Sequence, residues 1–297
     1  IHLDFIRIPA PGHFAALGPE RFALDPVGSG PFVVDSWDEN RIELTRNNTT
    51  WRPPKLERVT LVSVPDQAAR LQGLLSGSLD VAYNMSPEDR PLVQAEGGDM
   101  FAYSNPSVSY VQFVTTKESP LTDVRVRRAL NYAVNKDVIL DVIFEGTLEP
   151  TGQIAHPQSF GFDSAIEAYP YDPDRAKALL TQAGYADGFD MVSLMVPGGA
   201  NLDQVQQLIA ADLAQVGVHM EIQRTTFAKY LEYMYQTGWP DPYGAFAMVA
   251  SGFDPMHGYR TRSCRWTPTY FCDEATIPMI EAAESAFDLE ERRRLVG

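Results

Sequence analysis

Apolar positions change period repeatedly along this chain, and each change marks an element. FVVDSW (32–37) and RIELTR (41–46) are strand-like, and Asp38, Glu39 and Asn40 supply turn chemistry between them, so a hairpin is expected over 30–46. LERVTLVSV (56–64) reads as another strand. Asp66 then caps an expected helix, DQAARLQGLLSG, with Leu71, Leu74 and Leu75 on one face and Gly77 as its stop. LDVAY (79–83) reads as a strand, and Ser86-Pro87-Glu88-Asp89 has the cap and first-turn order of a helix start.

The segment SVSYVQFVTT (107–116) is long and alternating, and it separates two textures. Before it, short strands and short helices follow one another. After it, Val126, Leu130, Val134, Val138 and Val142 repeat at i, i+4 and predict one long helix with a single buried face, ended by Gly146. YDPDRAKALLTQAGY (171–185) carries a helix signature: Asp172 as cap, Pro173 in the first turn and Gly184 as stop. DMVSLMVP and HMEIQRTTF read as strands on either side of the helix LDQVQQLIAADLAQVG. FAKYLEYMYQTG predicts a helix with Phe227, Tyr230, Leu231 and Met234 on one side, and IPMIEAAESAF a further one, restarted by the capping-box-like DLEE at 288–291. Alternating strands and helices imply an α/β architecture, with a domain boundary at 107–116. No internal repeat or low-complexity segment is evident.

Composition narrows the function classes. The chain has 297 residues, enough for two domains, with 44% hydrophobic and 21% charged residues, as in a globular protein. Its net charge of −15 disfavours binding to a phosphate backbone or an anionic membrane. No apolar run approaches the roughly 18 residues of a membrane span. The chain starts at Ile1 without a leader-like pattern and stops at Gly297 in mid-pattern, so it is expected to be part of a longer protein.

Candidate chemistry is sparse. VGSGPF (27–32) has glycines at the wrong spacing for a dinucleotide loop and leads into a strand, whereas a phosphate cradle needs a helix N-terminus behind it. It is expected to be a sharp corner. The five histidines are scattered, with no zinc motif and no nucleophile elbow, so neither a cofactor nor an enzyme is indicated. Asp241 and Asp254 sit in loops before proline, where turn initiation is the ordinary role; a carboxylate-pair hydrolase is the enzyme alternative. Cys264 and Cys272 are eight residues apart, as unrelated thiols or as a short-loop disulfide of an oxidising compartment. Trp239 and Trp266 lie among Pro, Asp and Arg, suited either to the core or to a ligand cleft.

Several stretches together resemble one family. VGSGPF before a hairpin, RLQGLLSGSLDVA, SPLTDVRVRRALNYAVNKDVILDVIFEG and YDPDRAKALLTQAGYADGF are similar to blocks of the extracellular solute-binding proteins of ABC transporters, in the oligopeptide, dipeptide and nickel class. The blocks run from Pro26 to about Arg294. Ser29 stands for the family's Thr, Phe32 for its Tyr, and Val114 for an Asn after YVQF. The resemblance implies a two-lobed α/β clam without its N-terminal portion and C-terminal tail: 1–108 as the remainder of lobe I, 109–297 as lobe II, and a hinge strand at about 107–116. It implies a periplasmic or cell-surface protein that passes a small peptide or related solute to a membrane permease, with no catalysis and no membrane insertion of its own. Relatives on the scaffold hold nickel chelates, haem or oligosaccharides, so the cargo stays open. By the same resemblance Asp254 would meet a ligand ammonium, Phe253, Trp239 and Trp266 would wall the cleft, and Tyr110 would face it from the hinge. Arg260 and Arg262 could take a ligand carboxylate; the default for arginine favours solvation.

Overall fold

Turn chemistry at 38–40 works as the sequence implies. In a computed structural model that describes residues 10–101, 107–196, 201–242, 244–250 (beyond Gly244 as backbone alone) and 254–297, Asp38 N–H donates to Arg41 O at 2.8 Å and joins β1 (Phe32–Trp37) to β2 (Arg41–Arg46). β3 (Arg58–Val62) adds to β2, giving an antiparallel sheet in the order β1-β2-β3. The VGSGPF corner is pinned by its carbonyls: Asn47 donates to Gly30 O and to Pro31 O, and Thr50 to Ser29 O. These groups accept from a neighbouring turn and launch β1. Before the sheet lies α1 (Pro11–Leu24), broken where Gly18 takes φ 71° ahead of Pro19. After it comes α2 (Gln67–Leu75), capped by Asp66, which accepts from Ala69 N–H at 2.7 Å.

Two compact units divide between Gln72 and Gly73, within α2. The first unit leaves Val33, Trp37, Leu61 and Val62 exposed. The second contains every buried apolar cluster found among the described residues.

LDVAY differs from its expected strand. No ladder forms over 79–83, and Val81 and Tyr83 are exposed, because an alternating pattern makes a strand only where another strand accepts its hydrogen bonds. The Ser86 start does work: Ser86 N–H donates to the Asp89 carboxylate at 3.1 Å, opening a short turn and then α3 (Arg90–Ala95). β4 (Ser107–Phe113) follows.

The long helix expected after β4 is two helices. α4 (Val124–Ala133) and α5 (Lys136–Phe144) are separated where Val134 turns extended, and Asn135 caps the second by accepting from Val138 N–H. The break resets the phase, so Val126 and Leu130 are buried while Val138 and Val142 are exposed and Ile139 takes the inward position. Lys136 closes the junction by donating to Asn131 O at 2.6 Å and Tyr169 O at 3.2 Å, and its burial pulls the ammonium below its usual pKa.

α6 (Pro173–Gln182) starts at Asp172, which accepts from Arg175 N–H at 2.9 Å, and buries Ala176 and Leu180. β5 (Phe189–Met195), α7 (Leu202–Ala214) and β6 (Val218–Arg224) form a parallel β-α-β unit. Gly188 (φ 79°) and Gly217 (φ 84°) bring the two strand entries together: a Cβ on Gly188 would overlap Gly217 O. α8 (Phe227–Glu232) leaves Phe227 exposed, contrary to its expected inward face, because the apolar side of this short helix turns on Tyr230 and Met234. β7 (Gly244–Ala250) inserts between β4 and β5, giving the order β4-β7-β5-β6. α9 (Met256–Thr261), α10 (Ile277–Ser285) and α11 (Leu289–Val296) complete the chain. α9 stands where no helix is expected from the sequence, whereas α11 starts at the expected DLEE restart, Asp288 accepting from Glu290 and Glu291 N–H.

One sheet face, bearing Phe113 and Met191, packs on α4, α6 and α7. The opposite face carries an aromatic cluster.

Candidate functional site

Strand alternation selects the residues of the aromatic face. Gln112 and Leu194 pair with the same β7 position, Ala245, so they share a face, and Tyr110 lies on it two residues back. Val114, Leu194, Met234, Trp239 and Tyr270 form the buried cluster on this side. Val114, where an Asn was expected by resemblance, is fully buried there.

The two tryptophans resolve towards packing. Trp239 is 3% exposed, with Tyr230 and Tyr233 rings at 5.6 and 5.5 Å. Trp266 is half-buried and donates from Nε1 to Met234 O at 3.0 Å. Trp239 is a buried member of this cluster, and Trp266, partly buried, packs against it. Cys264 and Cys272 are joined as a disulfide around Trp266 and Tyr270, and Tyr270 O accepts from Thr115 N–H at 2.8 Å, which ties this loop to the exit of β4.

Asp254 is engaged within the chain. One carboxylate oxygen accepts from Met256 N–H at 3.0 Å at the start of α9, and the other from Arg292 Nη2 at 2.6 Å. A ligand ammonium reaching Asp254 has Arg292 to displace. Phe253 lies outside the described residues.

Tyr110 meets Arg262, whose guanidinium carbon stands 4.8 Å from the centre of its ring. Arg262 Nη1 donates to Gly258 O at 3.1 Å and to Thr261 Oγ1 at 2.6 Å. Its Nε is buried without a hydrogen-bond partner, as are the Tyr110 hydroxyl and both amide atoms of Gln112. Burial pulls the Arg262 pKa below its usual value, with Tyr270 acting weakly the other way. Arg260, two residues earlier, is exposed and pairs with Glu284 at 3.2 Å. Arg262 is the C-cap of α9, where the backbone leaves the helical conformation. Arg262 is named beside Arg260 by the resemblance; Gln112 is not, and its sequence signal is the two-residue alternation from Tyr110 along the strand.

A separate cavity of about 820 Å³ opens beside β5 and β6, floored by Met191, Val192 and Met220, with Asp190, Glu221 and Asp241 at its lining. Asp241 and Asp254 thus have different surroundings. Among the described residues no group of three His, Cys, Asp or Glu is placed to hold a metal.

Comparison with known proteins gives the geometry its context. The family model for bacterial extracellular solute-binding proteins, family 5 (middle region), matches residues 5–260. The dipeptide-binding protein of Escherichia coli is 31% identical over 221 residues, covering 72% of this chain and 41% of the relative. Heme-binding protein A of Haemophilus influenzae is 32% identical over 228 residues, covering 73% of this chain and 41% of the relative. Among solved structures, the periplasmic binding protein DppA from Helicobacter pylori, in complex with the peptide STSA, superposes with a TM-score of 0.83 at 26% identity, over 97% of this chain and 58% of that one. The α/β fold expected from the sequence is therefore that of the periplasmic binding proteins.

Proposed function

The chain belongs to the bacterial extracellular solute-binding proteins of family 5, and on that premise we propose that it is part of the capture component of an ABC importer for small peptides. The observation that carries the reading is the joint likeness to two peptide binders, at 31% identity in sequence and at a TM-score of 0.83 in structure. The chain spans 41% and 58% of these two proteins, so the cargo, the permease and the extracellular or periplasmic setting all belong to the proposal. So does the division into a lobe ending near 108 and a lobe beginning near 109, with β4 as the hinge crossing. Closure of lobes around cargo would give a permease a conformation to discriminate. The proposed role is binding without turnover, and the likeness to proteins that are binding proteins supports it.

One observation favours a second cargo: the 32% identity to a heme-binding protein. Mass spectrometry of small molecules released by denaturing the purified protein separates the two. Released peptides, together with calorimetric binding of a dipeptide that is recovered intact, support the proposal. Released haem with no peptide binding replaces it by the second reading, and conversion of the dipeptide to amino acids overturns the binding role.

A further inference from the structure

We infer that the cavity beside β5 and β6 is a second binding site, for a linear alkyl diamine, apart from the aromatic face of the sheet. The cavity originates in a notch. β7 starts at Gly244, opposite Ser193, so Phe189–Val192 of β5 have no β7 residue alongside. With that neighbour missing, side chains from both faces of β5 and β6 line one cavity of about 820 Å³, a volume suited to a small molecule. Alternation sends Met191 and Met220 to one face, where they belong to the buried cluster and form an apolar floor. It sends Asp190, Val192, His219 and Glu221 to the other. The notch is far from Tyr110. From Asp190 to the level of Ala247, the β7 partner of Tyr110, is about 20 Å at roughly 3.3 Å per residue. The inference therefore does not rest on the reading of the cargo.

Charge and register specify the occupant. The lining holds Asp190, Glu221 and Asp241 and includes no lysine or arginine. Nearby cations are engaged elsewhere: Arg224, further along β6, pairs with Asp203 at 2.8 Å, and Lys229 with Glu232 at 2.8 Å. Among the described residues no lysine or arginine pairs with Asp190 or Glu221, and Glu221 accepts a hydrogen bond from Gln223 at 2.9 Å. Exposed carboxylates by themselves hold a counter-ion weakly. The apolar floor changes that balance, because it rewards a cation that carries methylene groups, and the flexible thioethers of Met191 and Met220 adapt to an alkyl chain. Register then asks for two charges. Asp190 stands beside His219, and Val192 beside Glu221, so the two carboxylates are diagonal neighbours on adjacent strands, about 8 Å apart at their Cα atoms. An alkyl chain of five methylenes with an ammonium at each end spans that separation across Val192. A single metal ion does not, and among the described residues no group of three His, Cys, Asp or Glu is placed to hold one.

The test titrates the purified chain with 1,5-diaminopentane at constant ionic strength, followed by calorimetry and by backbone amide resonances. The expected result is saturable binding with shifts concentrated at Asp190, Val192 and Glu221. Affinity should fall about 3- to 10-fold for pentylamine, which has one ammonium, and by a similar factor in each of Asp190→Asn and Glu221→Gln. Both side chains are exposed, so the two variants keep the fold. Absence of saturation in the wild-type chain overturns the site, and so does saturation with shifts confined to other residues. Equal affinity for pentylamine, or for magnesium chloride at the same ionic strength, overturns the assignment to a diamine. A final titration adds the diamine to chain saturated with Ala-Phe. Unchanged diamine affinity supports a second site, and displacement of one by the other overturns it. Diamine binding in a chain that takes no Ala-Phe keeps the site and counts against the peptide cargo alone.

Discussion

Asp123 holds the start of α4 in two ways. One oxygen accepts from the Arg125 N–H at 2.7 Å, capping the helix, while the carboxylate also meets the Arg125 side chain, the shortest contact being 2.6 Å. The hydrogen bonds from the Arg125 side chain, the largest influence, lower the Asp123 pKa. A carboxyl whose pKa is lowered on folding contributes stability that is present above the unfolded value, about 3.9, and lost as the pH falls through the folded value. Asn at this position keeps the cap and removes the charge. Thermal unfolding of the wild-type and Asp123→Asn chains should therefore differ by a small, salt-sensitive margin at pH 6, and the margin should close as the pH drops below about 3.9. A margin independent of pH would assign the whole effect to the neutral cap.

At the scale of elements, the closest backbone approach is at the entries of β5 and β6. Gly188 takes a positive φ where an added Cβ would meet Gly217 O, so Gly188→Ala should destabilise the protein by about 2–5 kcal/mol, read from urea unfolding. A cost under about 0.5 kcal/mol would mean that the β-α-β unit tolerates separation of its strands. Elements whose signal is local were legible in the sequence: the β1–β2 hairpin, the Asp172-Pro173 start of α6 and the Asp288 restart of α11 each rest on residues within one turn of each other. Elements whose signal depends on distant partners were not. Residues 79–83 alternate but pair with nothing described, and the valine repeat over 126–142 runs through a break set by Asn135. The site followed the same rule. Tyr110 lies on a strand evident from its alternation, whereas the contact of Arg262 with its ring depends on α9, a helix of six residues, and on a strand more than a hundred residues earlier. Trp239 and Trp266 were ambiguous because composition cannot say which side of a sheet a loop will cover.

Across the whole molecule, buried apolar material is concentrated after β4. All three clusters found among the described residues lie there, while the sheet of the first unit keeps Trp37, Leu61 and Val62 exposed. A chain of residues 86–297, beginning at the Ser86 capping box, should unfold in one cooperative transition, whereas residues 10–72 alone should show none by circular dichroism. Cooperative unfolding of the smaller piece, or its absence in the larger, would contradict this distribution of the core. α11 belongs to the larger piece, and it reaches back at two places: Val296 packs into the space left by Gly161, and Arg292 holds Asp254. A purification tag, fluorophore or surface tether fused directly behind α11 therefore pulls on the start of α9, and so on the segment that carries Arg262. Handles for immobilisation are better placed at exposed loop positions such as Glu118, where a load does not reach that segment through Arg292.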